Sequence, residues 1–283
     1  MIKVDGHTHT ELCPHGSGDD TRKMIERSIE LGFDEYHITE HAPMPDDFAN
    51  AFAGFEENID TEGIKKSQID EYLKLATSLQ TEYQNQIKIS VGFEIEYLSG
   101  FEDETQKFLE EYEPATQNNI LSVHYLRDRD GKYWGIDYSP AELANGFRFD
   151  IKDPQKLYQR YLQTVLASAS FNWEHQKPLE LGHISLIKKY QDYFHLPELF
   201  DADNLKIIDQ IINKMKRNHL SLDFNSAGLY KKFCNDFYPG DQIIKRAVKN
   251  GIPVVFGSDA HSIDEVGHGW HLMNNLLKGL TCD

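Results

Sequence analysis

The segment DGHTHTELCPHG, residues 5–16, places His7, His9 and His15 close together behind Asp5. Ligand-type side chains recur downstream in short motifs. TEH ends at His41, GFEIE carries Glu94 and Glu96, SVH ends at His124, LGH ends at His183, and GSDAH carries Asp259 and His261. Mixed imidazole and carboxylate donors suit zinc, iron or manganese better than magnesium or calcium. One histidine of this kind is ordinarily a polar surface residue, and H-x-H alone is a weak sign. The recurrence carries the argument for a metal centre assembled from distant segments. Cys13 sits among these residues but has no second cysteine near it, and reads as a loop residue. His37, His175, His195, His219, His268 and His271 read as ordinary polar residues without a ligand role, although His37 shares a strand face with His41.

Such a centre needs elements that bring the motifs together. Short apolar runs at 2–5, 36–40, 87–96, 120–125, 179–184, 221–225 and 254–258 read as strands. Helical patterns fill the intervals, at about 19–31, 66–85, 103–113, 154–170, 201–218, 239–249 and 264–278. Asp153-Pro154 has the form of a helix start, and Gly251-Ile252-Pro253 that of a helix stop followed by a strand. Seven strands alternating with helices imply an α/β fold built on a parallel sheet. Six of the seven strand ends carry a ligand-type group. If the sheet closes into a barrel, those ends share one rim, where catalytic groups collect. Residues 42–63 and 127–150 break the alternation and read as long loops or insertions, of the kind that serve as lids or contact substrate.

Composition narrows the function. The chain has 283 residues, 40% of them hydrophobic, enough for one large domain. The formal net charge of −17 repels polyphosphate backbones, so nucleic acid is not expected as a partner, whereas a small cationic substrate suits it. Three widely spaced cysteines, Cys13, Cys234 and Cys282, argue against a disulfide framework and for a reducing cytoplasm. No apolar run is long enough for a membrane span, and the N-terminus lacks the apolar stretch of a signal peptide.

D-G-H-T-H-T, His15, T-E-H at 39–41, G-F-E at 92–94, S-V-H at 122–124, G-H at 182–183 and S-D-A-H at 258–261 together resemble the polymerase-and-histidinol-phosphatase (PHP) family. The resemblance runs in order from residue 5 to residue 261, and is most similar to the histidinol-phosphate phosphatase branch. It implies a distorted (β/α)7 barrel, a single domain over 1–283, with a cluster of three divalent transition-metal ions at the C-terminal rim of the strands. Carried over by position, His7, His9, Glu94 and Asp259 would hold one ion. Glu94 would bridge to a second, bound also by His124 and His183. His15, His41 and His261 would hold the third.

Such a cluster suits phosphate ester hydrolysis: ions lower the pKa of a bridging water, whose hydroxide attacks phosphorus, and spread the charge that develops on the phosphoryl oxygens. The expected reaction is hydrolysis of L-histidinol phosphate to L-histidinol and phosphate, in histidine biosynthesis. Glu94 as the bridge and Asp259 as a proton-handling ligand are the expected catalytic residues. Arg160 and Arg127 are candidates to clamp the phosphate, since guanidinium binds it in paired hydrogen bonds. Glu96, with Asp128 and Asp130, is a candidate for the substrate's cationic groups. Two other readings stay open: the same chemistry on a nucleotide or another small phosphoester, and a non-catalytic domain that binds metal or phosphate as a regulator. There is no G-x-x-x-x-G-K-[ST] and no G-x-S-x-G. The DADN at 201–204 follows PELF, which places it at a helix N-terminus and not at the end of a strand.

Overall fold

A computed structural model describes residues 2–175 and 177–281. Seven parallel strands form one sheet: β1 (Val4–Asp5), β2 (Glu35–His41), β3 (Lys88–Glu96), β4 (Asn119–Ser122), β7 (Leu179–Leu181), β8 (Ser221–Asn225) and β9 (Val254–Gly257), in that spatial order. The two ends of the sheet meet. Gly6 N donates to Phe256 O at 2.7 Å, His9 N to Ala260 O at 3.0 Å, and Asp259 N to His7 O at 2.8 Å. The result is a nearly closed seven-stranded barrel with helices between the strands, the α/β architecture expected. All seven strands appear where the apolar runs put them, within a few residues at each end.

The helices form for local reasons. Asp20 caps Thr21–Glu30 by accepting from Arg22 N at 2.9 Å, and Asp201 caps Ala202–Arg217 by accepting from Asn204 N at 2.9 Å, so DADN does open a helix. Pro154 stands at the first position of Pro154–Ser170, but Asp153 does not cap it. Its carboxylate pairs with Lys156 Nζ at 2.9 Å instead. That helix buries Leu157, Tyr158, Tyr161, Leu162 and Val165, a three-four spacing that faces the core. Each such side chain contributes about 1.5–3 kcal/mol when removed from water.

The two supposed long loops are not structureless. Residues 42–63 contain the short helices Phe48–Ala51 and Glu56–Thr61. Residues 127–150 contain β6 (Tyr133–Gly135), which pairs antiparallel with β5 (Tyr125–Arg127), and the helix Pro140–Phe147. The periodicity was hidden because each piece is only one to two turns or three residues long. The two insertions pack on each other. Ala53 N donates to Tyr133 O at 2.9 Å, and Phe48, Leu98, Tyr125 and Tyr133 form a second apolar cluster. Glu142 ties them together, accepting from Asn58 Nδ2 at 2.8 Å, Phe55 N at 3.1 Å and Gly135 N at 2.8 Å.

Cys13 and Cys234 are free and buried; Cys282 lies outside the described residues. No helix among the described residues is long and apolar enough to cross a membrane.

Candidate active site

Glu94 stands at the centre of the rim. The strand pleat brings it there, and Gly92, two residues earlier, lets β3 run against the chain at Asn118, where a Cβ would collide with the Asn118 carbonyl. The two oxygens of Glu94 face different partners. Oε2 lies 3.1 Å from His7 Nε2, 3.2 Å from His41 Nδ1 and 3.6 Å from His9 Nε2. Oε1 lies 2.8 Å from His183 Nε2 and 3.6 Å from His124 Nε2, and accepts from Ser122 Oγ at 2.6 Å. Asp259 Oδ1 joins the first group, 3.2 Å from His9 Nε2 and 3.8 Å from His7 Nε2. His15 and His261 form a third group, with their Nε2 atoms 3.1 Å apart. The His41 ring lies 4.9 Å from that of His15 and 5.8 Å from that of His261. All nine expected side chains therefore come together.

The imidazoles are fixed from behind. Nδ1 of His7 lies 3.0 Å from Asp223 Oδ2, that of His9 3.4 Å from Glu40 Oε1, and that of His124 2.6 Å from Glu96 Oε2. Nδ1 of His15 donates to Thr61 O at 2.7 Å, and that of His261 to Asp259 O at 2.9 Å. Carboxylates and carbonyls only accept, so each of these Nδ1 atoms carries a hydrogen, and each Nε2 is turned toward the centre, where it would serve as the metal-binding nitrogen once free of its proton. Two bare nitrogens at 3.1 Å would repel each other with nothing between them; the spacing suits two ligands that each stand about 2.0–2.1 Å from one ion. His183 Nδ1 is buried without a partner. His183 and Asp259 also adopt positive φ, 24° and 57°, strained backbone that aims their side chains into the rim.

The charges agree. Burial pushes the Glu94 and Asp259 carboxyls up, but the surrounding imidazoles outweigh it and hold both well below the usual carboxylate range. Burial, reinforced by neighbouring imidazoles, holds His41 and His261 well below the usual histidine range, and His15 is lowered too. Neutral imidazole is the form that binds metal. The donor set thus fits divalent metal ions. Cys13 lies within reach of His9, His41 and His261, but burial pushes its thiol up, away from the thiolate form.

A cavity of about 600 Å³ opens over these groups. Its charged lining includes Glu62, Asp137, Lys189, Lys231 and Glu265. Neither candidate arginine lines it. Arg127 Nη2 donates to Ser99 O at 2.6 Å, and Arg160 is held by Arg127 O at 3.2 Å and Asp150 Oδ2 at 3.3 Å. Both arginines border a separate cleft of about 280 Å³. Glu96 does not line the cavity either: both its oxygens are engaged, Oε1 by His124 N at 2.7 Å and Oε2 by His124 Nδ1. Asp128 is spent on its own turn, accepting from Asp130 N and Lys132 N at 2.9 Å each. The carboxylates that orient the rim from behind include Glu40 and Asp223, which no metal-type motif of the sequence marks as ligands. Alternation in SLDFN, residues 221–225, puts Asp223 and Asn225 on one face, a signal that was available.

The profile of the PHP domain family matches residues 5–227, and that of the PHP-associated family matches residues 241–277. The chain is 33% identical over 273 residues to the histidinol-phosphatase of Bacillus subtilis, covering 95% of this chain and 97% of that protein. A Listeria monocytogenes crystal structure described as a candidate histidinol phosphatase superposes with a TM-score of 0.91 at 37% identity, covering 95% of this chain and 99% of that one. The histidinol phosphate phosphatase of Lactococcus lactis, crystallised with zinc, L-histidinol and phosphate, has the same fold: TM-score 0.71 at 20% identity, over 99% of this chain and 94% of that one.

Proposed function

The chain belongs to the PHP domain family, and from that premise we propose that it hydrolyses L-histidinol phosphate to L-histidinol and inorganic phosphate in histidine biosynthesis, as one metallophosphatase domain over residues 1–283. The observation that carries the reading is Glu94, a buried carboxylate whose two oxygens face two separate groups of imidazoles. Similarity to the Bacillus subtilis histidinol-phosphatase along nearly the whole of both chains supports the substrate. The cavity has the size of a small-molecule site.

His7, His9, Glu94 and Asp259 are assigned to one ion, Glu94, His124 and His183 to a second, and His15, His41 and His261 to a third, with zinc, iron or manganese as the metals. When bound, such ions supply an activated water and neutralise the charge that builds on the phosphoryl oxygens. The chain's own residues do the rest. Asp223, Glu40 and Glu96 hold the Nδ1 protons of His7, His9 and His124 and so fix the direction of each Nε2. Asp259, 18% exposed at its side chain, reaches the cavity while Asn225 Nδ2 donates to its Oδ2 at 3.1 Å. It is placed to take a proton from the attacking water or to return one to the leaving alkoxide oxygen. The acidic surface keeps nucleic acid off, and the cysteine usage suits the cytoplasm.

Phosphate release from a panel of phosphomonoesters, by protein whose metal content is measured, tests this. L-Histidinol phosphate is expected to give the highest kcat/KM, and chelation to abolish it. A nucleotide preferred over L-histidinol phosphate would refute the substrate, and full turnover without metal would refute the cluster.

A further inference from the structure

The charged side chains of the cavity are mostly matched. Asp137 pairs with Lys189 Nζ at 2.9 Å, and Glu265 accepts from His261 N at 2.8 Å. Glu62 is different. It follows the helix Glu56–Thr61 on the wall built by the first insertion, and its side chain is only 14% exposed. Among the described residues its one ion-pair neighbour is His124 Nδ1 at 3.5 Å, and that nitrogen is already held by Glu96 at 2.6 Å. A buried carboxylate with no cation of its own is costly. A ligand that brings a cation to it would offset that cost.

We propose that Glu62 receives the substrate's ammonium group and so selects phosphate esters of amino alcohols. The inference rests on the reading of L-histidinol phosphate as substrate and says which part of that molecule is read, and by what. In this ester the ammonium is borne on the carbon next to the ester carbon. An ester whose phosphoryl group sits over the rim must therefore hold its ammonium close to the rim. Glu62 meets that requirement, because it adjoins His124, one of the rim imidazoles. Asp137 lies on the same cavity but is already neutralised by Lys189, and Glu265 is engaged by the His261 amide at 2.8 Å, whereas Glu62, beside His124, has neither and is the carboxylate next to the rim left for the ligand.

The test is Glu62→Gln, which keeps shape and removes charge. Its kcat/KM is measured on L-histidinol phosphate and on the analogue with hydrogen in place of the ammonium, and metal content is measured alongside. A charge-assisted hydrogen bond predicts that the preference for the amino ester falls by about tenfold to a hundredfold. Inhibition by L-histidinol should weaken while inhibition by inorganic phosphate stays as it was, and Glu62→Asp should recover part of the preference. Equal losses on both esters, or loss of an ion from Glu62→Gln, would overturn the proposal and make Glu62 a support of His124 or a metal ligand. An unchanged preference in Glu62→Gln, with L-histidinol phosphate turned over well by the wild type, overturns this inference alone. A wild type that does not hydrolyse L-histidinol phosphate overturns the substrate reading, and this inference with it.

Discussion

Asp259 is a metal-type donor in left-handed backbone, with one oxygen against His9 and the other against Asn225. Asp259→Asn is expected to lower kcat by at least about 10²-fold, the scale for loss of a proton-transfer group. The informative comparison uses protein that keeps its metals. If Asp259 protonates the leaving oxygen, an alkyl phosphate suffers and an ester with a good leaving group does not; equal loss on both assigns it to the attacking water. Wild-type rates on both would remove it from the chemistry. Asp223 acts one step back. It accepts from His7 Nδ1 and from His183 N, so it aligns ligands of both groups around Glu94. Asp223→Asn is expected to weaken metal affinity by about 10–100-fold, read by competition with a chelator. Unchanged affinity would show that His7 keeps its direction without the carboxylate. Gly257 belongs to the same arrangement, since a Cβ there would strike Asp223 and His7.

The two insertions act as one element. Neither the helix Glu56–Thr61 nor the hairpin of β5 and β6 is long enough to be stable alone. They are held by an apolar cluster around Phe48 and by the three hydrogen bonds that converge on Glu142. Glu62 and Asp137 are carried on this element, one from each insertion, so its integrity sets the cavity wall. Glu142→Gln puts an amide donor against groups that themselves donate. It is expected to cost roughly 1–3 kcal/mol of stability and to raise KM while metal content is retained. Thermal unfolding, kinetics and metal analysis check this together. Lost metal at unchanged KM would mean that the insertions support the rim and not the wall.

Closing the barrel buries charge that no single strand could bury. Asn118 Nδ2 donates to Glu180 Oε1 at 2.5 Å and approaches His37 Nδ1 at 3.2 Å, and His37 Nε2 meets Glu35 Oε1 at 3.0 Å. This chain crosses from β2 to β7. Burial, with Asp223 adding to it, pushes the Glu180 carboxyl up to about 8. The sign follows from linkage. Above its ordinary carboxyl pKa the unfolded chain releases this proton while the folded chain keeps it, so Glu180 makes stability fall as pH rises from about 4.5 to about 8. Glu180→Gln is expected to gain stability over wild type across that window, with little difference below it. Denaturant midpoints near the two ends of the window check this, and parallel profiles would show that Glu180 ionises normally in the folded chain.

By itself the sequence determined the strands, most of the helices and the set of candidate donors. Strand alternation and helix caps are local, so a histidine at the end of an apolar run can be placed on the rim without knowing what lies opposite. The barrel itself was legible only through a family resemblance, because closure is a contact between β1 and β9 that no local period encodes. What only the tertiary structure decided is where long side chains point and how the insertions fold. Arg127 and Arg160 have the right chemistry for phosphate but are turned onto Ser99, Asp150 and each other. Glu96 follows the expected strand face but is used to hold His124. Lys189, Glu62 and Asp137 reach the cavity from loops whose course is set by packing between segments far apart in sequence. A side chain's type and its strand register follow from the residues around it, whereas its neighbour across a cavity is fixed by the packing energy of the whole chain.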